Sequence, residues 1–364
     1  MNKMPTWHPK SFTGFYKNVF RSCQMLCYEY AADGVTIRQH MKLSTYLATI
    51  LCTLFVLCCA LPNAVVEAKE SYLVMEANSG RVLLADNTEK KRPIAGLTKI
   101  ATARVALDWA KLSGVSLSSY IAVPPSASLL VGGNPMQLQP GERIQLRDAL
   151  YAALLAGDSV AAHSLCIHVG QQILIRRQSQ GDPEKTFVHE MNQLAKSLGM
   201  RRTKFKNAHG LDALSKWANS TASDMARLSV HVMRDVGFAF YVKQPTRSVT
   251  IMSVHGEKRS YQIKNSNPLL GQLEVNGIKA SASAAAGQCI SLNAHRSPVV
   301  RKIDETRSQI RKRDLVVVVL GSHDSITRSR QLIAEGWLLY DKWANEGFMV
   351  SPKRRELLQV PRLQ

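Results

Sequence analysis

Cysteine is scarce where this chain would fold. Of seven cysteines in 364 residues, five (Cys23, Cys27, Cys52, Cys58, Cys59) lie before residue 60, leaving only Cys166 and Cys289 beyond it. Two thiols exclude a disulfide framework, though they would suffice for one bridge in an oxidising compartment. No internal repeat and no low-complexity tract is present, which excludes a repeat array and global disorder. Acidic residues are the minority, 27 against 47 lysines and arginines, for a net charge of +20. That excess predicts attraction to an anionic partner, a membrane surface or an envelope polymer. No nucleic-acid-binding motif accompanies it, so a nucleic-acid partner is not expected.

Charge is missing altogether between Lys42 and Glu67, where the chain reads LSTYLATILCTLFVLCCALPNAVV. A basic flank, an apolar run and Val66-Glu67-Ala68 as a cleavage site make a secretory signal peptide, and Met41 is a natural start for one. Uncleaved, the same run is just long enough to anchor the chain in a bilayer with its basic side inside. Leu57 before Cys58 argues against a lipoprotein anchor. The expected organisation is a basic leader over residues 1–42, the hydrophobic signal or anchor over 43–68, a folded domain over 69–345 and a basic tail over 346–364. The domain is then exported, periplasmic or otherwise extracytoplasmic. The tail contains Pro361 and is too short for a stable amphipathic helix.

Past the leader, SYLVMEANSGRVLLADN predicts a hairpin over 71–87, turning at Asn78-Ser79-Gly80. A helix follows from about Gly96 to Lys111. Further helices are predicted before and after a break at Gly157, in KTFVHEMNQLAKSLGM, and in TASDMARLSVHVMRD behind a Thr221 or Ser223 cap. SVTIMSV, RSYQIKN, QCISL and DLVVVVLG read as strands, and SITRSRQLIAEGWLLYDKWA as a closing helix. Strands on either side of a helical middle predict an α+β domain whose two chain ends share one sheet.

The segment PIAGLTKIATARVALDWA has the layout of a helix-borne Ser-x-x-Lys nucleophile site, with Gly96 where the serine belongs and Lys99 at the base position. Thr98 cannot replace the serine, because two residues along a helix turn a side chain roughly 200° away. Together with LQPGERIQLRDALYAALLAGDSVAA, MNQLAKSLGM, TKFKNAHGLDA, STASDMARL, NSNPLL and VNGIKASASAAAG, this segment resembles the serine D-alanyl-D-alanine carboxypeptidases among the low-molecular-mass penicillin-binding proteins. The resemblance covers about residues 70–345. It implies a β-lactamase/transpeptidase-like fold, an antiparallel sheet flanked by helices, with a cleft between sheet and helices and no clear second domain.

The resemblance also implies three motifs, Ser-x-x-Lys, Ser-x-Asn and Lys-Thr-Gly, and all three are altered. The first reads Gly96-Leu97-Thr98-Lys99, the second Ala156-Gly157-Asp158 and the third Lys279-Ala280-Ser281. The hydroxyls implied at Gly96, Ala156 and Ala280 are gone, and Ser281 adds a side chain beside the cleft. Both lysines remain. Deleting a serine nucleophile costs roughly 10⁶ in turnover, so acyl-enzyme chemistry is expected to be lost.

The sequence therefore predicts an inactive homologue that binds or regulates in the cell envelope, with peptidoglycan stem peptides or an active relative as partner. Two alternatives stand beside it: a hydrolase using water activated by Asp158, and a non-catalytic structural protein with an anion-binding surface. Asp158 is expected near Lys99 and Lys279, forming an ion pair where the substrate carboxylate would lie. No cofactor is implied and no metal site is predicted. His163 and His168 flank Cys166 at a spacing that separates their rings on a helix, which favours packing or capping roles. His209 is assigned to a structural turn beside the cleft, and Gly132-Gly133 lacks the strand and helix context of a phosphate loop.

Overall fold

DLVVVVLG explains the layout. In a computed structural model describing residues 70–211, 218–351 and 356–363, this run lies in strand β11 (Ser308–Ser322). Val316, Val318 and Leu320 enter one hydrophobic cluster, while Leu315, Val317 and Val319 enter another on the opposite face. A strand buried on both faces has no polar alternation, so its sequence is one continuous apolar run.

Around it lie β1 (Ser71–Glu76), β2 (Val82–Asp86), β9 (Val275–Ser283) and β10 (Gly287–Lys302), in the antiparallel order β2-β1-β11-β10-β9. The two ends of the chain do share one sheet. Helix α7 (Ser325–Asn345) covers one face through Leu332, Ile333, Trp337 and Tyr340. The other face carries the helical lobe: α1 (Thr98–Ser113), α2 (Leu146–Tyr151), α3 (Ser159–Arg176), α4 (Pro183–Ser197), α5 (Ala222–Arg234) and α6 (Val236–Val242). The fold class is thus the expected α+β arrangement of helices on an antiparallel sheet.

Caps set most helix starts, because a side-chain oxygen satisfies N–H groups that the first turn leaves open. Asp158, Asp182, Thr221, Asp235 and Asp324 accept such bonds at α3, α4, α5, α6 and α7. The break at Gly157 appears as a left-handed residue (φ +75°) after a π-helical turn over Ala152–Ala156. Helices α3 and α4 meet closely enough that a Cβ on Gly170 would lie 2.0 Å from the Pro183 carbonyl oxygen.

A second sheet was not foreseen. Short strands β4 (Tyr120–Ala122) and β5 (Arg143–Gln145) join β7 (Thr246–Met252) and β8 (Lys258–Lys264) in the order β4-β5-β7-β8. Three-residue strands carry too little pattern to be read from sequence. A two-residue pair, β3 (Arg92–Pro93) with β6 (Asn219–Ser220), was equally silent. Cys166 and Cys289 are buried thiols with no bridge between them. The tail doubles back, with Leu358 N–H donating to the Gly80 carbonyl at 2.8 Å. The apolar run at 43–66 lies outside the described residues, among which no helix is long and apolar enough to cross a membrane.

Candidate functional site

Strand β9 is an edge of the large sheet, and the turn Ala95–Leu97 that leads into α1 packs against it. This contact brings the first and third motifs together. Residues 279 and 281 share one face of β9, two positions apart. Ser281 meets the turn and Lys279 reaches the Leu154 carbonyl, while Ala280 packs with the hydrophobic cluster on the α7 side. The second motif closes the arrangement from the α2–α3 connection, since a Cβ on Gly157 would lie 3.6 Å from Lys279 Nζ.

Gly96 has a vacancy that is already filled. Its N–H donates to Ser281 Oγ at 2.9 Å, and a Cβ built on Gly96 would lie 2.6 Å from that oxygen and 3.4 Å from Lys99 Nζ. Gly96 is not among the residues with positive φ, so the backbone itself does not require glycine here. A side chain at residue 96 would require the Ser281 hydroxyl to shift. The side chain that Ser281 adds beside the cleft is thus bonded to the turn.

Lys99 is 3% exposed and donates to the His209 carbonyl oxygen at 2.5 Å and to Ser159 Oγ at 3.1 Å. Ser159 was missed by sequence reasoning: three residues after Ala156, it places a hydroxyl against Lys99. Thr98 turns away as expected and donates to the Ala95 carbonyl. Lys279 is 1% exposed and donates to the Leu154 carbonyl at 2.8 Å. Both ammonium groups are held by neutral oxygens. Burial pushes Lys99 down to about 8, with the more distant charge of Asp158 acting the other way. Burial, then repulsion from Lys99, takes Lys279 well below its ordinary value.

Asp158 does not form the expected ion pair. It is fully buried, and its carboxylate caps α3, accepting from Ala161 N–H at 2.8 Å and from Met136 N–H at 3.2 Å. The helix start outcompetes the lysine because two N–H donors lie at hydrogen-bond distance in fixed geometry. Asp158 therefore reaches Lys99 only through its field. Two cavities lie elsewhere: about 320 Å³ beside Asp108 and Asp235, and about 470 Å³ beside Arg311, Trp343 and Phe348. Neither is lined by a motif residue.

A family model described as D-alanyl-D-alanine carboxypeptidase matches residues 61–303. The chain belongs to that family. It is 26% identical over 279 residues to the D-alanyl-D-alanine carboxypeptidase DacC of Escherichia coli K12, covering 74% of this chain and 62% of the relative. It is 28% identical over 236 residues to a D-alanyl-D-alanine endopeptidase of Pseudomonas aeruginosa, covering 64% and 69%. The chain thus spans less than two thirds of DacC. Among solved structures, a mutant of the Streptomyces K15 DD-transpeptidase matches with a TM-score of 0.57 and 22% identity, over 77% of this chain and 97% of that one. A D-alanyl-D-alanine carboxypeptidase from Mycobacterium tuberculosis H37Rv gives 0.57 and 22%, over 78% and 92%. These likenesses establish the transpeptidase-like fold.

Two outcomes follow from the geometry. Gly96→Ser must displace the Ser281 hydroxyl, so its cost should fall by about 0.5–1.5 kcal/mol, the net worth of one hydrogen bond, when Ser281→Gly is made first. A double-mutant cycle by denaturant unfolding measures this, and additive costs would contradict the contact. For Lys99, the folded pKa lies below the unfolded one, so between about pH 8 and 10.5 the unfolded chain holds a proton that the folded chain lacks. Stability should therefore rise with pH across that window, by on the order of 3 kcal/mol. Lys279 adds the same sign, so the Lys99 part is read as the slope lost in Lys99→Met. An unchanged slope would place Lys99 in water.

Proposed function

We propose that this family member forms no acyl-enzyme and serves in the cell envelope as a binding or regulatory homologue of the active carboxypeptidases. The observation that carries this reading is the Ser281 hydroxyl lying 2.6 Å from where a Cβ at residue 96 would be, bonded to the Gly96 N–H. An active centre needs a nucleophile beside its base and donors pointing at the position of the developing oxyanion. Here the base position remains, the nucleophile position is glycine, and one nearby N–H is taken by a side chain of the protein. The missing nucleophile alone corresponds to about 8 kcal/mol of barrier.

The geometry disfavours the Asp158-water hydrolase. Both carboxylate oxygens accept backbone bonds in a fully buried site, which leaves no solvent-facing oxygen to take a proton from water. Lys99 and Lys279 are likewise committed to carbonyl oxygens, so a D-Ala-D-Ala terminus would have to displace internal bonds to reach either one. Weak recognition at this cleft follows, and the main contact with the envelope lies elsewhere.

A specific feature supports an anion-binding contribution. Pairing of β1 with β11 ends at Leu315 and pairing of β9 with β10 ends at Ala294, so beyond these residues β10 and β11 continue as a two-stranded ribbon. It carries Arg301, Lys302, Arg307, Arg311, Lys312 and Arg313. Such a ribbon would attract peptidoglycan-associated polymer or anionic lipid in a salt-sensitive way.

The test offers the full chain in detergent a stem pentapeptide ending in D-Ala-D-Ala, follows free D-alanine, and in parallel sediments the protein with insoluble peptidoglycan. The proposal expects no release above the uncatalysed blank, together with co-sedimentation that weakens as salt is raised. Release abolished by Asp158→Asn would establish the water mechanism instead. Absence of co-sedimentation would remove peptidoglycan as the target.

A further inference from the structure

At the turn whose carbonyl holds Lys99, three side chains distant in sequence converge. His163 on α3, Glu184 in the first turn of α4 and His209 each place one potential ligand atom within 4.8 Å of the others. Both histidines are buried and Glu184 is half-buried. The rings of His163 and His209 stand edge to face with centroids 6.0 Å apart. His163 Nε2 is bonded to Ser126 Oγ at 2.8 Å. Its Nδ1 is buried with no hydrogen-bond partner, although the residue is only 3% exposed. A sequestered imidazole nitrogen without a partner forfeits the stabilisation that other buried polar groups obtain.

We propose that His163, Glu184 and His209 form a binding site for a divalent transition-metal ion of the zinc class. Two imidazoles and a carboxylate are the donor set that suits zinc and its first-row neighbours, and they disfavour magnesium and calcium, which take oxygen ligands. In the tautomer that donates the Nε2 proton of His163 to Ser126 Oγ, the unpartnered Nδ1 offers its lone pair to the metal, and the serine orients the ring from outside. Bond lengths of about 2.0–2.2 Å put tetrahedral ligand atoms roughly 3.3–3.5 Å apart, so the cluster must close by up to about 1.5 Å. Glu184 is a long side chain at a half-buried helix start and supplies much of that movement. His209 Nδ1 accepts from Leu211 N–H at 3.1 Å. A metal on either nitrogen of this ring requires the Leu211 bond to be released. The ion would tie α3, α4 and the His209 turn together, and the carbonyl of that turn is the one holding Lys99. The site is independent of the reading of Gly96.

The test uses the full chain in detergent, stripped with chelator and titrated with zinc ion alone, calcium and magnesium serving as controls. Expected are one tight equivalent of zinc by calorimetry, a rise in melting temperature, and no response to calcium or magnesium. Glu184→Gln keeps shape and should fold as the parent. It should weaken zinc binding by more than the 10–100-fold that loss of even an outer-shell partner causes, and His163→Gln should do the same. His168→Gln, whose ring instead packs edge-on against Trp109, should bind as the parent does. Absence of a zinc equivalent, or an equivalent unchanged in Glu184→Gln, would overturn the proposal whatever the folding of His163→Gln.

Discussion

The hydrogen bond from the Gly96 N–H to the Ser281 hydroxyl governs the arrangement of the cleft. It joins the turn before α1 to the edge strand β9, and it puts an oxygen where a side chain at residue 96 would have to pass. Small changes then reinforce one another. Without a hydroxyl at 96 the Ser281 hydroxyl can bond the Gly96 N–H, and in that position it would have to move for a side chain at 96 to fit. The two positions lie 185 residues apart, yet they behave as one unit because protein interiors tolerate no overlap and few voids.

The same closure accounts for the lysines. An ammonium group buried without an anionic partner is unfavourable, and here two lie within reach of each other's field. They are tolerated because each donates to a backbone carbonyl oxygen, and Lys99 also to the Ser159 hydroxyl. A carboxylate one residue from Ser159 could have neutralised Lys99 directly, but the first turn of α3 holds it. Lys99, Lys279 and Asp158 thus all have hydrogen-bond partners within the protein.

Much of this was legible in the sequence. The strand in DLVVVVLG, the first hairpin, helix α5 behind its Thr221 cap and the meeting of the domain's first and last strands in one sheet follow from apolar period and cap residues, whereas the Asp182, Asp235 and Asp324 caps and the short helix α6 were not read. The altered motif positions were legible as well, since Gly96, Ala156 and Ala280 stand where an ordered set of segments leads one to expect hydroxyls. Asp158 was misjudged as a charge partner, although an Asp directly before an apolar helical run carries the signal of an N-cap. The grouping of His163 with Glu184 and His209 left no such trace. Spacing along a helix compares His163 with His168, whereas the fold compares it with residues brought in by α4 and a distant turn. Short strands β4 and β5 escaped for a related reason, because tertiary pairing rather than local pattern makes them strands.

The claim that no acyl-enzyme forms is tested most directly by mass. Incubating the full chain with excess penicillin, denaturing it and measuring its intact mass reads covalent attachment whatever the attacking atom. The account predicts an unchanged mass for the chain as it stands, in a sample whose circular dichroism confirms folded protein. A mass raised by one penicilloyl group would contradict it and show that a nucleophile other than the side chain missing at Gly96 is acylated.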